Sequence, residues 1–538
     1  MRLLSICLTM ALLVSAPSAA HAGETYLLRH LTKELRENGG HGGSHHSHHN
    51  PQIDGTSVVW ESQSPGGGPG SDSDIFWFDG ATVTKLTNGG QNHHPQISGN
   101  HIVWSGNGDG DWDIYRHHTR SGAGTQNLSN SLALPGTQDP GNFHPQVDGS
   151  RVVWESHDGN GNSHIYHHEN GTLANLSGAI GGSNHQNVAP QIDGDWTVWS
   201  GNSENPGDPA QWSDIYMHHT QLGSNVENLS GGLTSRENTS PQIDASHGIV
   251  WQGGNNTNLG GAQDIYLQKS TGEATLTNLT NNSNNYSSGQ AQISGSDVVW
   301  VDHSLVTGDS HISLHQADLN STVPFPHLYP AGGNESTNPQ IDGNHIVWTE
   351  WDGGGPEHIN HFDGSILHNR TDALAADYPQ LLVSPGANVP TRPWRLNPQV
   401  SGANLVWEGG DWANFNTFWT GGAYERDIYA AFYAGPYADL TRMKFIWDEL
   451  REIDLKWAWL QETDWSEAMI QGTNFSGANL WGATGLGYAQ GIPTFSHQTM
   501  LPDGFDAHSA GWNYVTPEPS AVLLALLGLC MLPRRRRR

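Results

Sequence analysis

Two groups of residues in this 538-residue chain have types and spacings suited to chemistry: histidines before a recurring Pro-Gln, and oxygen-bearing side chains interleaved with glycine. The 31 histidines include a tract with His41, His45, His46, His48 and His49, and His94 and His144 directly precede Pro95 and Pro145. Neutral imidazoles so placed can bind Zn, Ni or Cu; His-rich, Gly/Ser-rich tracts are also often simply flexible. Asn107, Asp109, Asp111 and Asp113, and likewise Asp158, Asn160 and Asn162, alternate with single residues, mostly glycine. Such oxygens can wrap Ca²⁺, although the distal Glu of an EF-hand loop is missing; the other reading is a hairpin turn. Trp112, Trp212, Trp351 and Trp412 fall in or near connections, where indole faces can stack on sugars or pack the loop. The pairs His117–His118, His167–His168 and His218–His219 fall at strand ends, where neighbouring side chains face opposite ways, and read as surface residues. No nucleophile-elbow Gly-x-Ser-x-Gly, zinc-protease His-Glu-x-x-His or phosphate-binding loop is present. A glycosidase needs only two suitably separated carboxylates, so a carbohydrate-active enzyme stays open.

The elements that must position these residues follow from one phrase written eight times. It reads Pro-Gln-Ile/Val, a turn at Gly, Val-Val-Trp, Asp-Ile-Tyr, then Asn-Leu-Ser/Thr. Its Gln falls at Gln52, Gln96, Gln146, Gln191, Gln242, Gln292, Gln340 and Gln399, and its Trp at Trp60, Trp104, Trp154, Trp199, Trp251, Trp300, Trp348 and Trp407. Alternating apolar residues with Gly turns predict strand-turn-strand patterning, four strands A to D per copy. The period matches a four-stranded propeller blade. The sixth copy has Ala291 in place of Pro. The repeated Gln is expected to hydrogen-bond backbone between blades, because a buried amide needs partners.

On these residues the chain, over about 25–441, resembles TolB-type and related propeller repeats. That resemblance implies an all-β propeller of eight four-stranded blades, or seven if the irregular stretch from Tyr378 to Pro398 breaks the count. It does not imply a function, since propellers host many. Tyr26 to Thr32 reads as a spare strand that closes the ring on the last blade, whose own outer strand would be Asp439-Leu440-Thr441. Beyond, the chain divides into fives, as in Thr-Asn-Phe475-Ser-Gly and Ala-Asn-Leu480-Trp-Gly. This resembles the pentapeptide-repeat family, which implies a square β-helix with the central apolar residue inside. Within 443–460 the 4-3-4-3 spacing of Ile446, Leu450, Ile453, Trp457 and Leu460 is instead helical, and both readings stand. The module reads as a stalk.

The two ends read as addresses. Residues 1–22, with Arg2, the apolar Leu3–Ala16 and cleavage between Ala22 and Gly23, read as a signal peptide. At the other end Pro517, Glu518 and Pro519 precede an apolar run, Ala521 to Leu532, and five arginines. The run is short for a permanent span, and the arginines would stay cytoplasmic. This arrangement resembles the PEP-CTERM sorting signal, which implies a hydrophobic sorting helix, an exosortase as partner, transient membrane insertion, and delivery to the cell surface or extracellular matrix. The expected organisation is signal peptide 1–22, propeller 23–441, pentapeptide module 442–487, linker 488–515 and sorting signal 516–538. The net charge of −30 argues against nucleic acid and anionic lipid as partners. The only cysteines, Cys7 and Cys530, lie in the terminal segments, which leaves no disulfide framework between them. The expected function is a binding or scaffold module for polysaccharide or a surface protein, with a glycosidase or lyase as the alternative.

Overall fold

Seven copies of the repeat each fold as one four-stranded antiparallel sheet, and the eighth supplies three strands of another. The computed structural model describes residues 26–32 and, from 46 to 515, all but 65–70, 109, 121, 123, 133–140, 159–160, 181–185, 203–212, 221–224, 234–236, 255–261, 270–274, 282–284, 317–320, 326–333, 352–356, 371–392, 412–426, 446–447 and 449. The signal-peptide residues with Ala22 and Gly23, and the sorting segment with Pro517, Glu518, Pro519 and the expected helix, lie outside the described residues. Among the described residues no helix is long and apolar enough to cross a membrane.

In the first copy, strands A to D are Ser47–Asp54, Ser57–Gln63, Ser73–Phe78 and Val83–Lys85. They pair in that order. Strand A of each sheet packs against strand A of the next, through Asn92–Ser98, Asn142–Asp148, Asn187–Asp193, Glu237–Asp244, Tyr286–Ser294, Glu335–Asp342 and Pro393–Ser401, and the last returns to Ser47–Asp54. Eight sheets whose inner strands contact one another in a closed cycle are an eight-bladed propeller. Blades 4 and 5 are also joined by a single bridge, Ser213 to Glu237. The eighth blade takes its outermost strand from the other end of the chain: Tyr26–His30 pairs beside Asp427–Tyr433. The ring thus closes on the expected N-terminal strand. That strand replaces the outer strand expected at Asp439-Leu440-Thr441, which belongs to the C-terminal coil, where Asp439 bridges Trp459.

The repeated phrase explains the packing. The strand-B Trp is at most 1% exposed in every blade, and in blade 2 it stacks on the strand-C Tyr, with Trp104 and Tyr115 centroids 5.9 Å apart. Trp104 packs with Ile102 against Val59 and Ile75 of blade 1, and Trp154 with Val152 against Val103 and Ile114 of blade 2. No blade buries both faces alone, so the ring folds as a unit. In five blades the indole N–H is satisfied four residues before the Gln, as where Trp104 Nε1 donates to Asn92 Oδ1 at 3.1 Å, Trp154 to Asn142 at 3.0 Å and Trp199 to Asn187 at 3.0 Å, whereas Trp300 donates to Asp302. The Asn-Leu-Ser/Thr phrase leaves strand D and clasps strand C. Asn127 Nδ2 donates to Asp113 Oδ2 at 2.6 Å, Ser129 Oγ donates to Asp113 Oδ1 at 2.5 Å, and Ser129 Oγ accepts from Ile114 N. Blades 4 and 5 repeat this with Asp214 and Asp264.

Contacts separate the ring, Leu28–Ala431, from a second unit, Phe432–Arg538 with Met1–Leu27. Its described part is a parallel coil with a rung about every 20 residues: Lys444 bridges Asp464, and Asp464 bridges Thr484. Leu440, Phe445, Leu450, Leu455, Leu460, Trp465, Ile470, Phe475 and Leu480 are at most 1% exposed. Inside, Phe445, Trp465, Phe475 and Trp512 form a ladder with centroids 4.3, 5.1 and 5.4 Å apart. The described part of 443–460 is coil and not helix. Phe445 N donates to Asp464 O and Leu455 N to Asn474 O, so its amides bond to the next rung. Of the residues in the 4-3 spacing, Leu450, Ile453 and Leu460 are buried inside the coil while Trp457 is 40% exposed, so the helical spacing mixes interior and turn positions. Nor does the coil end at 487: Gln490, Thr494 and Met500 continue its bridges, and Thr494–Phe495 pairs with Asn513–Tyr514, within the expected linker.

Candidate functional site

Every strand A carries a β-bulge two residues before its Gln. Asn50, His94, His144, Ala189, Ser240, Gln290, Asn338 and Asn397 all have φ between 48° and 55°, and the ladder shifts at each, as between His93 and Gln96. A bulge re-aims its residue and frees its N–H from the ladder, and that N–H needs an acceptor. In five blades the preceding blade supplies one. Asn50 N donates to Glu408 Oε1 at 2.9 Å, His94 N to Glu61 Oε2 at 3.2 Å, and Ala189 N to Glu155 Oε1 at 2.7 Å. Gln290 N donates to Gln252 Oε1, and Asn338 N to Gln290 Oε1. Glu61, Glu155, Gln252 and Glu408 all directly follow the repeated Trp.

Histidines and asparagines surround the three carboxylates. Asn50 Nδ2 donates to Glu61 Oε1 at 2.6 Å, and His93 Nδ1 lies 3.2 Å from Glu61 Oε2. Glu155 Oε2 is 3.3 Å from His144 Nδ1 and 3.5 Å from His157 Nε2. Asn397 Nδ2 donates to Glu408 Oε1 at 2.7 Å, with His49 Nδ1 3.9 Å from the other oxygen. The His94 and His144 rings are 4.4 Å apart. The groups therefore form an arc across blades 8, 1, 2 and 3. Trp112 walls it, stacked 5.7 Å from His93 and 5.3 Å from Phe143, which in turn lies 5.5 Å from His157.

The electrostatics divide these groups. Burial alone would raise the Glu155 carboxyl, but hydrogen bonds from His144, His157 and the Ala189 N–H outweigh it and hold it at about 2. Burial is likewise outweighed at Glu61, which the His93 hydrogen bond and the neighbouring imidazoles hold below the usual range. His144 is raised by its hydrogen bond to Glu155. His94 is lowered, first by burial and then by His144, and its Nδ1 makes no hydrogen bond.

Two further tiers follow along strand A. The eight repeated glutamines are half-buried, and their amides, expected to bond between blades, make no hydrogen bond to any described residue. Half-buried on the inner strands, they keep partial contact with solvent. Blade-to-blade bonding falls instead to the bulge and to the A–B turns. There the turn N–H of each blade donates to the Asp or Ser that ends strand A of the blade before. Gly99 donates to Asp54, Gly149 to Ser98, Gly194 to Asp148, Ala245 to Asp193, Gly295 to Asp244, Gly343 to Ser294, Gly402 to Asp342 and Gly55 to Ser401, at 2.5 to 3.0 Å. This ring of eight bonds closes on itself.

The residues singled out from sequence separate accordingly. His94 and His144 meet in the arc, and Trp112 walls it. Asp113 is buried in the strand C–D clasp rather than facing a loop, Asp111 is half-buried nearby, and Asp109 lies outside the described residues. Trp351 ends strand B of blade 7 at 37% exposure; Trp212 and Trp412 lie outside the described residues. His48 takes the Asn position of blade 1 and accepts from Trp60 Nε1 at 3.2 Å. Among the described residues no three His, Cys, Asp or Glu side chains are arranged to hold a metal ion. Glu61, Glu155 and Glu408 were not singled out; the signal was their place after the repeated Trp.

Residues 449–484 match the Pentapeptide repeats family in eight copies. No curated protein matches the chain in sequence. Several solved structures are distantly similar. The β-propeller domain of the Trilobed protease from Pyrococcus furiosus is 10% identical with a TM-score of 0.41, covering 60% of this chain and 97% of that one. A Mycobacterium tuberculosis puromycin-hydrolyzing peptidase is 14% identical with a TM-score of 0.43, over 68% of this chain and 58% of that one. An oligogalacturonate lyase in complex with manganese is 12% identical with a TM-score of 0.40, over 72% of this chain and 96% of that one. At these scores the propeller assignment rests on the sheet order itself.

Proposed function

We propose that this chain is an exported, exosortase-sorted protein of the cell surface or extracellular matrix, and that its propeller binds polysaccharide at the arc formed by Glu61, Glu155, Glu408 and their histidines. The observation that carries this reading is the pairing of an aromatic wall, Trp112 and Phe143, with the open amides of the strand-A glutamines along the same strands. Sugars are bound by stacking on aromatic faces and by hydrogen bonds from fixed polar groups. Hydrolysis of a glycosidic bond needs one carboxylic acid that keeps its proton near neutral pH. Glu61 and Glu155 are both held ionised, which favours binding over hydrolysis here. A surface protein as ligand would use the same face.

One observation favours the alternative of a polysaccharide lyase. His94 and His144 lie in contact with their proton affinities displaced in opposite directions, an arrangement suited to a base and an acid. The experiment that separates the readings mixes the protein with the polysaccharide secreted by its own host. The polymer's size is followed by chromatography, with calcium and with chelator. Binding predicts co-elution with an unchanged polymer; a shortened polymer would replace the scaffold with a lyase. Cleavage that requires calcium would place the metal in the reaction.

A further inference from the structure

The C-terminal coil carries its own concentration of exposed aromatic surface. On the rung face whose backbone bridges run Asp439–Trp459–Asn479–Met500, the exposed large side chains are Tyr437, Trp457, Trp459, Trp481 and Met500. They are 71%, 40%, 56%, 54% and 56% exposed. Rungs of such a coil are about 4.8 Å apart, and residues along a rung advance about 3.3 Å each. The patch therefore spans four rungs, about 14 Å, and reaches from the turn that holds Trp457 to the turn that holds Trp481. We propose that this face is a second binding surface, and that it takes an uncharged polysaccharide of β-linked pyranose rings with equatorial substituents.

Three observations select that occupant. Trp457 lies flat against the next rung: a Cβ on Gly477 would sit 2.4 Å from its Cε3. Only a glycine lets the indole settle there, and the ring offers its outer face to solvent. Next, the polar residues between the rings are engaged close to the backbone. Asp439 Oδ1 accepts from Thr441 N and Oγ1, and Asn479 Oδ1 accepts from Trp481 N, which leaves a low, flat surface. Charge then excludes the competitors. The chain's net charge of −30 repels anionic polymers, anionic lipid and a second copy of itself, and the cations beside the patch, Arg442 and Lys456, are paired with Glu462 at 2.9 Å and Asp454 at 3.8 Å. A pyranose with equatorial substituents presents axial C–H groups on both ring faces, and a β-linked chain of such rings is an extended, uncharged ribbon. Exposed indoles spaced over successive rungs match it.

The inference stands apart from the propeller arc, and its test keeps the two distinct. The full chain is mixed with microcrystalline cellulose, and the bound fraction is measured after sedimentation at 0.15 M and 1 M NaCl. The wild type should bind equally at both salt concentrations, since no charge is involved. The triple variant Trp457→Ala, Trp459→Ala, Trp481→Ala should lose at least about tenfold in partition coefficient, with an unchanged melting transition because its interior residues are untouched. Trp459→Ala alone should fall part of the way. The proposal is overturned if the wild type does not sediment with cellulose, or if the triple variant binds undiminished. It is equally overturned if the face instead mediates dimers, seen by sedimentation velocity, or binds neutral phosphatidylcholine vesicles in place of cellulose.

Discussion

Glu155 joins two blades through one carboxylate, and its surroundings fix when that joint holds. It accepts from His144 and His157 of its own blade and from the bulge N–H of Ala189 in the next. Removing it in Glu155→Ala leaves a half-buried N–H without its acceptor, which costs about 1–3 kcal/mol, measurable by denaturant unfolding. The pH window follows from the displaced proton affinities. His144 is raised in the folded state, so its contribution is complete below its unfolded value of 6.5 and fades as pH rises through its folded value. Glu155 is lowered from 4.5 to about 2, so its contribution is present above 4.5 and lost as pH falls toward 2. The stability difference between wild type and Glu155→Gln should therefore be largest between pH 4.5 and 6.5; a flat difference would remove the pair from the account. His361 acts in the opposite sense. Buried, and beside the Arg370 guanidinium that donates to its Nδ1 at 2.7 Å, it is lowered to about 2. The unfolded chain takes up that proton below pH 6.5, so stability should fall with pH from there, and His361→Gln should flatten that acid limb. The histidines before Pro-Gln were legible as chemistry. The carboxylates were not, because Glu61 and Glu155 matter only once each blade is placed against the next. The glutamines were misread for the same reason: the bulge and turn already satisfy the blade junctions.

At the scale of elements, the repeat made strands A to C readable because alternation, Gly turns and Trp all agree locally. Strand D was displaced: it ends on the Asn of the Asn-Leu-Ser/Thr phrase, and the Asn and Ser/Thr side chains clasp Asp113 and its counterparts. The coil was half-legible, because apolar residues at interior positions and in turns, such as Ile453 and Trp457, together imitate a helical spacing until the rung-to-rung bonds are known. Ring closure places a specific demand on Tyr26–His30. Deleting residues 26–32 leaves Asp427–Tyr433 as an open edge and removes the buried Leu27, Leu31 and Thr32. The deletion should lower the melting temperature by at least several degrees and promote association between copies, read by calorimetry and light scattering. An unchanged melt would mean that the ring does not depend on this closure.

At the scale of the whole molecule, eight blades bring residues some 350 positions apart into one arc, such as Asn50 and Glu408, which no local reading reveals. The net charge of −30 disfavours anionic partners, which is consistent with the proposal that the aromatic walls take uncharged or weakly charged polymers. The most direct measurement is chromatography of the purified protein with its host's secreted polysaccharide, comparing wild type with Trp112→Ala. The account predicts that wild type co-elutes with a polymer of unchanged length and that Trp112→Ala weakens that co-elution about tenfold, the order expected for one stacking contact. A polymer that shortens with time, or a protein that never travels with it, would contradict the binding role.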